Sequence, residues 1–278
     1  LAGLLDMSGS MRGREDDTIG GWNGLVDSMR LEQGNDQINV ELSLFDHELI
    51  NVYQMTPINE ISELSRANYI PRGQTAIDDA LGTTLKKYID GKQNNSINFD
   101  SCIIALSTDG QENSSTEYNN ESVKNLILQS EPLGIKVIYL AANQDAISAA
   151  AQRGIPSNFA LNYNNTGEAS LSAYRAVGRV ASSARSNPEN TQGFTMPERQ
   201  ASQPDPNYNF QQSTRPATAR RSRSQNLHNI NIDYPTGHYS RQYNTTHRNL
   251  PPSPLSLNNP PPVSRNNAEA FPVGDEAV

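Results

Sequence analysis

Leu1-Ala2-Gly3-Leu4-Leu5-Asp6-Met7-Ser8-Gly9-Ser10-Met11-Arg12-Gly13 is the stretch from which the fold is read. Leu1 to Leu5 is an unbroken apolar run, the pattern of a strand buried on both faces, since a strand with one face in water alternates instead. Asp6 to Gly13 is polar and carries glycine, so a loop leaves the strand at its C-terminal end. A helix is expected next. Ile19, Trp22, Leu25, Val26 and Met29 recur at helical spacing, with Thr18 placed to cap the start and Gly34 to stop the end.

Further along, Ile38 to Phe45 alternates apolar and polar residues, turns at Asp46 and His47, and runs back over Glu48 to Met55 as a hairpin. Ile58 to Leu64 reads as a short helix, and Ala76 to Ile89 as a longer one with Ile77, Leu81 and Leu85 on one side. Cys102 to Leu106 and Ile135 to Ala141 are again continuous apolar strands, separated by a helix over Val123 to Leu133. A short helix over Ala146 to Arg153, a weaker strand at Phe159 to Leu161 and a helix over Thr166 to Ser186 complete the pattern. Strands alternating with helices give a doubly wound α/β fold: a mainly parallel sheet, covered on both faces, with the hairpin as its antiparallel edge.

The composition divides near residue 187. Of 17 prolines, 13 lie from Pro188 onward, where there is no lysine and where Asn, Ser, Gln and Arg dominate. Segments such as Asn259-Pro260-Pro261-Pro262 favour extended polyproline conformations and bury little apolar surface, so residues 188–278 are expected to be a disordered tail after a domain spanning 1–187. The acid belongs to the first part, which holds 14 basic against 23 acidic residues. That balance disfavours nucleic acid or anionic lipid as a partner and suits a cation. Cys102, the single cysteine, sits inside an apolar run and has no internal partner, which fits a reducing, cytoplasmic setting. No apolar run approaches the ~20 residues of a membrane span.

Taken singly, the polar loops are unremarkable. Asp6-Met7-Ser8-Gly9-Ser10 is rich in residues that bond their own backbone, Thr75-Ala76-Ile77-Asp78 reads as a capping box, and Asp109-Gly110 as a turn. Together they are harder to dismiss. Asp6 and Asp109 each follow a buried strand directly, and Thr75 stands at a loop-to-helix junction between them, so all face the edge where a doubly wound sheet binds ligands. Two carboxylates and the hydroxyls of Ser8, Ser10 and Thr75 would repel one another or stay unsatisfied without a cation. An all-oxygen donor set indicates Mg²⁺, with Mn²⁺ or Ca²⁺ as its hard relatives, and not zinc.

Asp6-Met7-Ser8-Gly9-Ser10-Met11, Pro71-Arg72-Gly73-Gln74-Thr75-Ala76 and Ser107-Thr108-Asp109-Gly110 resemble, in order and spacing, the three parts of the metal-ion-dependent adhesion site of von Willebrand factor A domains. The resemblance covers roughly Leu1 to Ser186. It is nearest the intracellular and bacterial branch, where Thr-Asp-Gly-x-Glu-Asn is similar to Thr108 to Asn113, and it extends to Ala141 to Ala146. It implies a six-stranded sheet in the order 3-2-1-4-5-6 and metal contacts through Ser8, Ser10 and Thr75, with Asp6 and Asp109 acting directly or through water. It also implies a coordination position left for an Asp or Glu of a protein partner, which is binding and not turnover.

An enzymatic alternative is an Mg²⁺-dependent phosphotransferase or phosphatase of the haloacid dehalogenase type, with Asp6 as nucleophile. That chemistry wants a second acid two residues on, and Ser8 stands there. His47, in a turn, and His228, His238 and His247, in the tail, lack metal-ligand spacing. Asp79 is a candidate support for Thr75, though an acid in a first helical turn ordinarily answers the helix dipole. Arg220, Arg221 and Arg223 read as part of a solvated linker.

Overall fold

The computed structural model describes residues 1–142, 145–164 and 166–203. One sheet has the order β3-β2-β1-β4-β5-β6, built from β1 (Ala2–Asp6), β2 (Asn39–Phe45), β3 (Leu49–Pro57), β4 (Cys102–Thr108), β5 (Ile135–Ala142) and β6 (Ala160–Tyr163). Neighbours are parallel except β2 and β3. The helices are α1 (Glu15–Leu31), α2 (Ile77–Gln93), α3 (Asn120–Ser130), α4 (Ala146–Gln152), α5 (Gly167–Ser186) and α6 (Met196–Ser202). They cover both sides of the sheet, α1 packing on α5 and α2 on α3. No helix of the described residues is long and apolar enough to cross a membrane.

Every residue of β1 and β4 is buried, as two-sided cover requires. Trp22 of α1 lies against β1 so closely that a Cβ on Gly3 would stand 2.3 Å from its ring. The alternation in β2 does not produce an exposed face, because both faces of the strand are covered. Its polar positions are buried and satisfied instead: Glu41 accepts from Lys87 Nζ at 2.5 Å and Ser43 Oγ donates to Asn51 Oδ1 at 2.7 Å.

Three local expectations are corrected. Ile58 to Leu64 is helical only as the 3-10 turn Ile58–Glu60. Thr18 is no cap: α1 starts three residues earlier, and Thr18 is buried within its first turns. The boundary at residue 187 also moves. Residues 188–203 stay on the fold, with Phe194 and Ser202 buried. α6 is closed by a capping box between Thr195 and Glu198, and Glu198 pairs with Arg179 of α5 at 2.5 Å. Arg199 donates to Ala160 O and Ser157 O, both at 2.8 Å, and Asn164 N donates to Ser202 O at 2.8 Å. This strap occupies groups that the edge strand β6 would otherwise leave unpaired. The rest of the expected tail, residues 204–278 with its arginines and three histidines, lies outside the described residues.

Candidate metal centre

β1 and β4 are neighbours, and the chain turns to opposite sides of the sheet after them, so their C-terminal ends open a crevice. Asp6 is the last residue of β1 and Asp109 follows the last residue of β4. A chain of hydrogen bonds joins them. Ser8 N donates to Asp6 Oδ1 at 2.7 Å, the hydroxyls of Ser8 and Ser10 are 3.0 Å apart, and Ser10 Oγ donates to Asp109 Oδ1 at 2.6 Å. Gly110 faces the same point: a Cβ there would stand 3.2 Å from Thr75 Oγ1, 3.3 Å from Ser10 Oγ and 3.7 Å from Asp6 Oδ2. The structure thus places Asp6, Ser10 and Thr75 around a space that a side chain at position 110 would fill, with Ser8 and Asp109 joined to them by hydrogen bonds.

Thr75 reaches this point by a route the sequence does not disclose. It does not cap α2, whose N-cap residue is Ala76, without a side-chain cap. The free N–H groups at the start of α2 are taken by the loop after β4: Asp78 N donates to Glu112 Oε2 at 2.9 Å and Asp79 N to Ser115 Oγ at 3.0 Å. Asn113 completes the join. Thr75 N donates to its Oδ1 at 2.9 Å, while Asn113 N donates back to Thr75 O at 3.0 Å. With its capping duty removed, the Thr75 hydroxyl faces the crevice.

The loop before Thr75 is stapled on its other side. Arg72 N donates to Met7 O at 2.7 Å, Gly9 N to Gly73 O at 3.2 Å and Ala76 N to Asp46 O at 2.8 Å. Gly73 has φ +68°, and a Cβ there would meet His47 Nδ1 at 2.5 Å, so only glycine serves. Asp79 does more than answer the helix dipole: its carboxylate accepts from the backbone N–H of Thr116, Glu117 and Tyr118. Glu112, Asn113, Asp79 and Thr108 are therefore supporting residues, of which the sequence suggests Asp79 alone. For the other three the signal is the run Thr108 to Asn113, whose resemblance does not by itself disclose contacts.

Burial, with a smaller push from the charge on Asp109, raises the Asp6 carboxyl to about 6 against the pull of the Thr108 and Ser8 donors. Both Asp6 oxygens are engaged, Oδ1 by Ser8 N–H and Oδ2 by the Thr108 hydroxyl. Such an acid is a pinned ligand and a weakened nucleophile, because the donors draw on the electron pairs that attack would need. For Glu112, burial acts upward, but donors from Ser115, Asp78 and Ser114 outweigh it and hold the carboxyl below its usual range.

Asp46, His47 and Glu48 also bring ligand atoms within 4.8 Å of one another. Arg72 already spans that group, at 2.9 Å from Asp46 Oδ2 and 2.6 Å from Glu48 Oε2, so a cation of the protein offsets part of its charge. In the crevice proper the donors are oxygens of carboxylates and hydroxyls, with neither imidazole nor thiol. That chemistry fits a hard divalent ion held by Asp6, Ser8, Ser10, Thr75 and Asp109.

The sequence model of the von Willebrand factor type A domain matches residues 1–173. The chain belongs to that family. No curated protein matches it. Among solved structures, similar chains include mussel byssus proximal thread matrix protein 1 with a zinc-occupied metal-ion-dependent adhesion site, at 18% identity and a TM-score of 0.47, covering 65% of this chain and 47% of that one. A von Willebrand factor type A protein from Catenulispora acidiphila is 14% identical with a TM-score of 0.44, covering 66% of this chain and 42% of that one. Manganese-loaded TRAP protein of Plasmodium vivax is 18% identical with a TM-score of 0.42, covering 61% and 69%. The chain thus spans less than half the length of the mussel protein.

Proposed function

We propose that this von Willebrand factor type A domain is a metal-dependent protein-binding module, in which Asp6, Ser8, Ser10, Thr75 and Asp109 hold one divalent cation, Mg²⁺ first, for a partner's Asp or Glu. The observation that carries the reading is the convergence of Asp6, Ser10 and Thr75 on the space beside Gly110. When bound, the ion would act as a Lewis acid with a position open to an outside carboxylate. Ser8, Ser10 and Thr75 supply lone pairs without charge, so they hold the ion while leaving it able to accept an anion. The loop after β4 keeps Thr75 in place through Asn113, which fixes the geometry a partner meets.

Calorimetric titration with Mg²⁺ or Mn²⁺ tests the site, and about one ion per chain is expected by the donor count. For the bridge, a partner recovered from extract in Mg²⁺ should be released by chelator and should bind Thr75→Ala more weakly than wild type. Equal binding in excess chelator, and to Thr75→Ala, would overturn the bridging reading even where metal binds.

A further inference from the structure

Arg14 occupies a place for which the five-residue site offers no reason. It is the N-cap residue of α1, and its side chain turns back into the crevice, with Nη1 at 3.1 Å from Asp109 Oδ2. Both side chains are largely covered, at 14% and 3% exposure. The contact is a charge contact and not a well-formed hydrogen bond: Nη1 is buried without a hydrogen-bond partner among the described residues. Behind it, Arg14 lines a small cleft with Asp17, Thr18, Tyr163 and Ser170, and its backbone N donates to Met11 O at 3.1 Å. Asp109 therefore has one oxygen on Ser10 and the other beside a fixed cation.

A permanent positive charge in contact with a carboxylate that would hold a dication has two consequences of opposite sign. Without metal it offsets the repulsion between two buried acids, so it stabilises the fold. With metal it is a like charge a few ångströms from the ion, which weakens binding.

We propose that Arg14 is a resident counter-ion of the metal centre, holding Asp109 while the site is metal-free and setting a lower affinity for divalent cations than the same ligands would have alone. The proposal rests on the metal-site reading above. It accounts for the buried, poorly bonded Nη1 lying against Asp109. It also leaves the loaded site one negative charge short of neutralising a dication, a state in which an outside carboxylate is more strongly attracted.

The test uses the full chain, with wild type, Arg14→Met and Arg14→Lys titrated with Mn²⁺ by calorimetry and by the paramagnetic signal of the free ion. The same three are melted in chelator. Arg14→Met should bind Mn²⁺ about tenfold more tightly or better, as expected on removing a nearby like charge, and should melt earlier in chelator. Arg14→Lys keeps the charge and should stay near wild type in both. If Arg14→Met does not fold without metal, Arg14→Gln, which retains a donor for Asp109, takes its place with the same expectation. Unchanged or weaker Mn²⁺ affinity in the uncharged variants, with wild type binding normally, overturns the counter-ion role and leaves the metal site standing. Failure of wild type to bind Mn²⁺ overturns both.

Discussion

Asp78 and Asp6 are both buried carboxylates near the same end of the sheet, and they are treated in opposite ways. Asp78 lies 2.6 Å from Arg153 Nε, both side chains being 4% exposed, and Arg153 further donates to Ala149 O at 3.1 Å and sits over the Tyr139 ring. Asp6 is fully buried, and among the described residues the donors to its carboxylate are the neutral Ser8 and Thr108. A buried charge that is paired within the protein belongs to the fold, since α2 and α4 are tied through it. A buried charge met by neutral donors keeps a desolvation cost that a bound cation would relieve.

The largest expected effect breaks the paired centre. Arg153→Met removes the cation and strands Asp78, which should cost about 3–5 kcal/mol in denaturant unfolding, equally in Mg²⁺ and in chelator. Metal affinity measured below the unfolding transition should not change. An unfolding midpoint equal to that of wild type would mean that the pair is not what ties α2 to α4.

The next effect has the opposite sign and concerns Asp6. Its folded carboxyl is raised from 3.8 to about 6, so the folded state holds the proton more tightly than the unfolded chain does. In chelator this penalty is absent below the unfolded value, grows as pH rises through the window between the two, and is complete above about 6. Asp6→Asn should therefore unfold later than wild type in chelator at pH 7.5, by on the order of 1–3 kcal/mol, and the gap should close toward pH 4. Saturating Mg²⁺ should reverse the order, because only wild type gains from binding. A variant less stable than wild type in chelator at pH 7.5 would show that Asp6 is already compensated inside the protein.

The sheet was readable because its interior strands are uninterrupted: Leu1 to Leu5, Cys102 to Leu106 and Ile135 to Ala141 can only lie between two covered faces. The five crevice residues were readable because each stands at a strand end or loop junction, where local pattern fixes position. What could not be read depends on partners distant in sequence. The cap of α2 comes from Glu112 and Ser115, and the partner of Asp78 is Arg153, 75 positions on. Arg14 looks like one more polar loop residue until β4 is placed beside it. The strap over residues 188–203 was hidden differently: Thr195-Met196-Pro197-Glu198 is a legible capping box, but a seven-residue helix shows no period and the surrounding composition is that of the tail.

The smallest effect on stability should come with a clear effect on the metal, and it concerns the link between the loop after β4 and Thr75. Asn113→Ala removes the acceptor for Thr75 N–H but not the return bond from Asn113 N to Thr75 O, which is backbone. Asn113 itself is exposed, so water can take over the abandoned donor and the stability cost should be about 1 kcal/mol. The hydroxyl of Thr75, however, depends on that loop for its direction. Residues that orient ligands without touching the ion commonly set affinity by about tenfold or more, and a loss of about tenfold in Mg²⁺ affinity is expected here. The two outcomes together invert those of Arg153→Met, where stability falls and affinity stays. Calorimetry and denaturant unfolding on the same preparations read both. An Asn113→Ala chain that loses stability while binding Mg²⁺ as wild type does would place the join between Thr75 and Asn113 with the ties that hold the fold, and Thr75 would then owe its position to Arg72, Gly73 and the turn at Asp46.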